Sequence, residues 1–129
     1  MAQACRDRIG ERTNVRVVQA AIEDYAVETD HFDVVVCHQV VPHFDDPPAA
    51  FATIMCGLKP GGRLVVVHFA PAAVINAIHR TAAPPIQQDH LPPPERMRAL
   101  LMEAGLVVDW CTEDALGYLV RGTRKKISE

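Results

Sequence analysis

Phe32-Asp33-Val34-Val35-Val36-Cys37 and Leu64-Val65-Val66-Val67-His68-Phe69 are two short runs of apolar β-formers, and what lies between them decides the fold. Each run is continuous rather than alternating, which predicts a strand buried on both faces, as in the middle of a parallel sheet. Between them, Asp45-Asp46-Pro47-Pro48 carries an acidic cap with proline in the first turn, a helix-start signal. Phe51, Ile54, Met55 and Leu58 then follow the i, i+3, i+4, i+7 spacing of one buried helical face. Lys59 precedes Pro60, which ends the helix, and Gly61-Gly62 predicts a turn. Strand, helix, strand in this order implies a parallel pair joined by a right-handed crossover.

Working outward, Ala2, Cys5 and Ile9 predict a helix over 2–9 stopped by Gly10, and Val15-Arg16-Val17-Val18 predicts a strand. Val74, Ile75 and Ile78 place a helix at about 72–82. The proline-rich stretch from Pro84 to Pro94 reads as a stiff loop. Met97, Leu100, Leu101 and Ala104 give the inner face of a helix starting near Pro94 and stopped by Gly105. Segments 106–111 and 116–121 predict a closing antiparallel pair, before the bases Arg124, Lys125 and Lys126.

The chain has 129 residues, the length of one ordinary domain, and 49% of them are apolar, enough for a core without disulfide or metal staples. Thirteen bases against 16 acids leave a net charge of −3, which argues against nucleic-acid binding and against an anionic membrane surface. No apolar run approaches a bilayer span, and the N-terminal residues lack the apolar core of a secretory signal. Cys5, Cys37, Cys56 and Cys111 stand singly, so a reduced, cytoplasmic protein without a thiolate metal site is expected.

The ordered series from Val15 to Phe69 resembles the class I S-adenosylmethionine-dependent methyltransferases. His31–Cys37 looks like the family's fourth strand, His43-Phe44-Asp45-Asp46-Pro47 its post-strand loop, and Leu58-Lys59-Pro60-Gly61-Gly62-Arg63-Leu64 the turn into strand five. Glu103-Ala104-Gly105-Leu106 and the two strands after it look like the final hairpin. The resemblance implies a Rossmann-like α/β sheet, mostly parallel, with a C-terminal antiparallel pair and helices on both faces. It implies S-adenosylmethionine as cofactor and transfer of its methyl group to an acceptor that the sequence does not identify.

The departures are as informative. The seven glycines contain no G-x-G, whereas family members open with a strand, a glycine-rich loop and a helix, then a second strand ending in an acid that holds the ribose. Residues 1–129 therefore read as one methyltransferase-like domain lacking the first strand, glycine loop and second strand. The alternative is a methyltransferase-like binding or assembly module that no longer takes the cofactor. Where the family often has Asp-Ala beside the adenine, this chain has Ala21-Ile22. Ala21, Ile22, Cys37 and His38 are the candidate cofactor residues.

Five histidines fall at or just beyond strand ends, where open parallel sheets bind ligands. His38 and His43 are the candidates for base or orienting group, and His43, His68, His79 and His90 for an acceptor pocket. A histidine-ligated metal with Asp45 or Asp89 remains open beside scattered loop histidines. Asp45-Asp46 reads as a helix cap, Glu23-Asp24 as a solvated turn, and Trp110 as packed against a helix. Without its first-strand neighbour the strand at 32–37 is left with a bare edge and an apolar face. That predicts weak affinity for S-adenosylmethionine and a two-fold homodimer through 2–18 and 34–41, unless 15–18 slides in to pair.

Overall fold

A computed structural model describes residues 1–84 and 89–126. Helix α1 (Ala2–Ile9) opens the chain and ends at Gly10, whose φ of 62° is the left-handed stop that glycine permits. A single 3-10 turn (Ile22–Asp24) precedes strand β1 (Phe32–His38). A second such turn (Val41–His43) leads into helix α2 (Pro47–Gly57) and strand β2 (Leu58–His68). Helices α3 (Ala72–Arg80) and α4 (Pro94–Glu103) follow, then the hairpin of β3 (Leu106–Asp114) and β4 (Gly117–Arg124). The sheet order is β1-β2-β4-β3, with β1–β2 parallel and the β2–β4 and β3–β4 pairs antiparallel.

Local chemistry accounts for the element boundaries. Asp46 caps α2, its carboxylate accepting from the Ala49 N–H at 3.1 Å, so the capping reading of Asp45-Asp46 holds. Helix α3 has no cap of its own, and Glu113 from β3 accepts from the Ala72 N–H instead, at 2.8 Å. Arg124 ties the end of β4 to the start of β2 by donating to the Leu58 carbonyl and the Asp30 carboxylate.

The core lies on one face of the sheet. Leu64, Val66, Tyr118, Val120 and Leu106 point into it and meet Phe51 and Ile54 of α2 and Met97 and Leu101 of α4. Of the two faces expected to carry helices, this is the one that α2 and α4 share; α1 buries none of its residues. On the opposite face Val34 and Val36 are 52% and 58% exposed.

Several expectations need correction. Residues 15–18 form no strand: among the described residues β1 is hydrogen-bonded only to β2, and an extended segment with no ladder to join gains nothing. β1 is consequently an edge strand with one open face, not a doubly buried central one. The turn expected at Pro60-Gly61-Gly62 is absorbed into β2: Phe32 pairs with Leu58 and Val34 with Arg63, so four residues bulge opposite Asp33. Gly62 is needed there, since a Cβ would lie 2.8 Å from the Lys59 carbonyl and 3.0 Å from that of Phe32. Trp110 is 51% exposed rather than buried against a helix. A register shift between Val108 and Trp110 turns it to the open face, where the Arg121 guanidinium lies 5.7 Å from its ring. Part of the proline-rich loop, 85–88, lies outside the described residues.

Candidate functional site

β1 and β2 run parallel, so their carboxyl ends, His38 and His68, emerge on the same edge. After His38 the chain crosses toward β2, the Gln39 N–H donating to the Val67 carbonyl at 2.9 Å. It then tightens into the turn at Val41–His43, with Val41 and Pro42 buried and His43 left on the rim. From the other side α3 presents Ala72, Ile75, Asn76 and His79 at i, i+3, i+4 and i+7, the stripe that faces inward.

Buried Asn76 reaches across to the returning chain. Its Nδ2 donates to the Leu91 carbonyl at 3.0 Å and its Oδ1 accepts from the Leu91 N–H at 2.7 Å. The Tyr118 hydroxyl, its ionisation pushed well above the ordinary range by burial, donates to the Pro92 carbonyl at 2.8 Å. These bonds hold the segment beginning at Asp89 over the edge of the sheet. The Asp89 carboxylate meets His43 Nδ1 at 2.5 Å, and its backbone carbonyl meets His79 Nδ1 at 3.2 Å. The His43 and His79 ring centres are 5.3 Å apart.

His68 belongs to the same electrostatic neighbourhood. Burial first, and then the charges of His79, His38 and His43, lower its pKa to about 4, so it is neutral at physiological pH. Its ring meets Tyr118 edge-on at 5.7 Å, and Nε2 has no hydrogen-bond partner among the described residues. Gln39 Oε1 is a second buried acceptor without a partner there, just beyond β1 where the residue adopts φ of 55°. A shallow cavity of about 390 Å³ opens beside this edge between Phe69, Thr112, Leu116 and Tyr118.

Of the residues singled out from sequence, His38, His43, His68 and His79 share this edge. His90 is exposed and takes no part in the bonds that join His43, Asp89 and His79. Cys37 is buried in the core, with its thiol pushed up to about 12 by burial. Ile22 lines a separate apolar cavity of about 250 Å³ with Tyr25, Phe32, Val34 and Ile54, which Cys37 and His38 do not reach; Ala21 precedes it, exposed. Asp45 is exposed, and Asp89 is used by histidine. Among the described residues no three His, Cys, Asp or Glu side chains are arranged to hold a metal ion. Sequence reading missed Asn76, Gln39 and Tyr118. Asn76 alone left a signal, a polar residue on the inward stripe of α3.

Residues 1–66 match the family described as methyltransferase domain. The ubiquinone/menaquinone biosynthesis C-methyltransferase UbiE of Idiomarina loihiensis is 30% identical over 84 residues, 61% of this chain and 34% of that protein. The chain thus spans about a third of the length of that curated relative. Among solved structures, an S-adenosylmethionine-dependent methyltransferase of Thermotoga maritima superposes with TM-score 0.78 at 19% identity, over 97% of this chain and 69% of its own. The complex of the Haloferax volcanii Trm112 methyltransferase activator with its methyltransferase gives 0.79 at 17% identity, over 97% and 68%. At these identities the likeness is one of fold. No described helix is long and apolar enough to cross a membrane.

Proposed function

This chain belongs to the methyltransferase-domain family, and from that premise we propose that it forms the acceptor side of an S-adenosylmethionine-dependent methyltransferase. The observation that carries the reading is the gathering of His38, His43, His68 and His79 at the carboxyl edge of the parallel pair. His43 is the base or orienting group with His38 beside it, while His68, His79 and His90 contribute to the acceptor pocket.

The described residues fit one wall of the cofactor site and not a complete cradle. The orphaned Gln39 carbonyl beyond β1 suits an amino group, next to the positions of Cys37 and His38. On the other side the β1 edge is unpaired among the described residues, and the cavity beside it, lined by Ile22, Tyr25, Val27, Phe32 and Val34, is apolar and carries neither a glycine nor a carboxylate to hold a sulfonium nucleoside. Ala21 and Ile22 remain candidates for the adenine, through backbone rather than side chain. What these residues do is hold an acceptor and receive its proton.

The open edge also bears on assembly. Residues 1–129 act as one domain corresponding to the later part of the family fold, and a second copy covers β1 through 2–18 and 34–41. What supports this is the exposure of Val34 and Val36 beside unpaired backbone. The other occupant of that edge is polypeptide carrying a first strand and glycine loop. Calorimetric titration of S-adenosylmethionine and its demethylated product separates the cases. The chain alone should show no one-to-one site at micromolar ligand, and adding polypeptide with a first strand and glycine loop of the family type should create one. Binding in neither setting would overturn the methyltransferase reading.

A further inference from the structure

We propose that the amino edge of the parallel pair carries a second binding site, which takes a phosphoryl group between Lys59, Arg63 and Lys126. The site is separate from the histidine edge. Arg63 stands five residues before His68 on β2, about 17 Å away at the usual rise of a strand. It therefore does not depend on the methyl-transfer reading.

The seat is a piece of backbone that glycine makes possible. Lys59 to Gly62 bulge opposite Asp33, and a cavity of about 350 Å³ opens beside them, bounded also by Val34, Arg63 and Lys126. Gly62 has the carbonyl oxygens of Lys59, Phe32 and Asp33 within 3.2 Å of where a Cβ would stand, so the bulge is tightly fixed. Gly61 takes φ of 83°, and the stem of Lys126 runs across it. The lysine Cε lies 3.3 Å and its Cγ 3.4 Å from the place of a Cβ on Gly61. A side chain there would be strained and would push the lysine away. The bare glycine lets the chain beyond β4 lay its apolar stem on the bulge and hold its ammonium group at the rim.

Charge then selects the ligand. The cavity is lined by three bases and one acid, in a chain whose net charge is −3. The acid is already engaged, since Asp33 Oδ1 accepts from Lys59 Nζ at 3.3 Å. Arg63 and Lys126 have no carboxylate partner among the described residues. Two uncompensated cations call for a doubly charged anion. A carboxylate brings one charge and two oxygens, whereas a phosphoryl group brings about −1.5 to −2 near neutral pH and three strong acceptor oxygens. The planar guanidinium of Arg63 suits two of those oxygens together, and the lysines serve as point charges for the rest.

The test follows amide resonances of the nitrogen-15-labelled whole chain as methyl phosphate, inorganic phosphate or acetate is added at fixed ionic strength. Gly61 and Gly62 should shift along a saturating curve with phosphate, and acetate should bind at least about tenfold more weakly. Arg63→Gln should weaken phosphate binding about tenfold, and Lys126→Gln about threefold. Both positions are exposed, so these variants keep the fold, and unchanged resonances elsewhere verify it. Arg98→Gln and Lys125→Gln alter a neighbouring cavity between α4 and β3 and should leave the affinity as it was. Tighter binding of methyl phosphate assigns the site to a phosphate ester, and tighter binding of inorganic phosphate to the free ion. No saturation up to about 10 mM phosphate overturns the site. An equal response to acetate, or equal weakening in all four variants, overturns it too, because either result means diffuse attraction of any anion to a basic edge. No arm uses S-adenosylmethionine, so failure of the methyl-transfer reading shows up separately, in the calorimetric titration.

Discussion

Val36 and Cys37 are neighbours in one strand of uniformly apolar sequence, yet Val36 is 58% exposed and Cys37 4%. The difference is which side of the sheet each faces. Cys37 points toward α2 and α4, where the core is closed; Val36 points to a face that no packed helix covers among the described residues. Side-chain chemistry alone does not bury a strand. Burial needs a second layer, and the described residues build that layer on one side.

The sharpest way to test the contrast is to delete equivalent bulk from each side. Phe51 on α2 is 0% exposed and meets Phe44 edge-on at 6.0 Å. Phe51→Ala should cost about 3–5 kcal/mol, the usual range for emptying a large core site. Val36→Ala should cost less than about 0.5 kcal/mol in the isolated chain. Urea unfolding followed by circular dichroism measures both. Comparable losses would mean that the open face is packed in solution.

A second contrast uses protons. His38 and His68 end adjacent parallel strands, but His38 is exposed and His68 is 3% exposed on the closed side. Burial, with the nearby histidines, lowers the His68 pKa to about 4 in the folded chain, below the unfolded value of 6.5. The unfolded chain therefore takes up this proton first. The stability from keeping His68 neutral is complete above about pH 6.5 and is lost as pH falls toward 4, by something on the order of 2–3 kcal/mol. His68→Phe should flatten the part of the acid-unfolding curve due to this group, whereas His38→Ala should leave it in place. Stability followed from pH 7 to pH 4 reads the difference.

The same contrast marks what sequence could and could not reveal. β1, α2, α4 and the closing hairpin were legible because each carries a local signal: a β-branched run, a capping aspartate, a helical stripe. The edge status of β1 was legible only through the resemblance, since Val34-Val35-Val36 reads the same with one neighbour or two. The failed strand at 15–18 shows the limit of propensity, which cannot supply a partner. At the site the histidines were visible as residues beyond strand ends. Asp89 was visible too, but only as a possible metal ligand; its bond to His43 was not, because it spans 46 residues and Asp89 owes its place to an asparagine on a third element.

The smallest effect on folding carries the most information about assembly. Val34 and Val36 lie on the open face of an unpaired edge, so Val34→Lys and Val36→Lys should each change the stability of the monomer by less than about 0.5 kcal/mol. A second copy pairing along β1 would nevertheless bring these positions against apolar surface from 2–18 and 34–41 of its partner, and a buried lysine without a counter-ion is costly there. Light scattering on a sizing column should therefore give twice the monomer mass for the unsubstituted chain and the monomer mass for either lysine variant. A single-chain mass for all three across micromolar concentrations would remove the homodimer and leave the edge to a strand from elsewhere in a longer polypeptide. A dimer in all three would place the contact on another surface, because two-fold symmetry puts each substituted position at the interface twice.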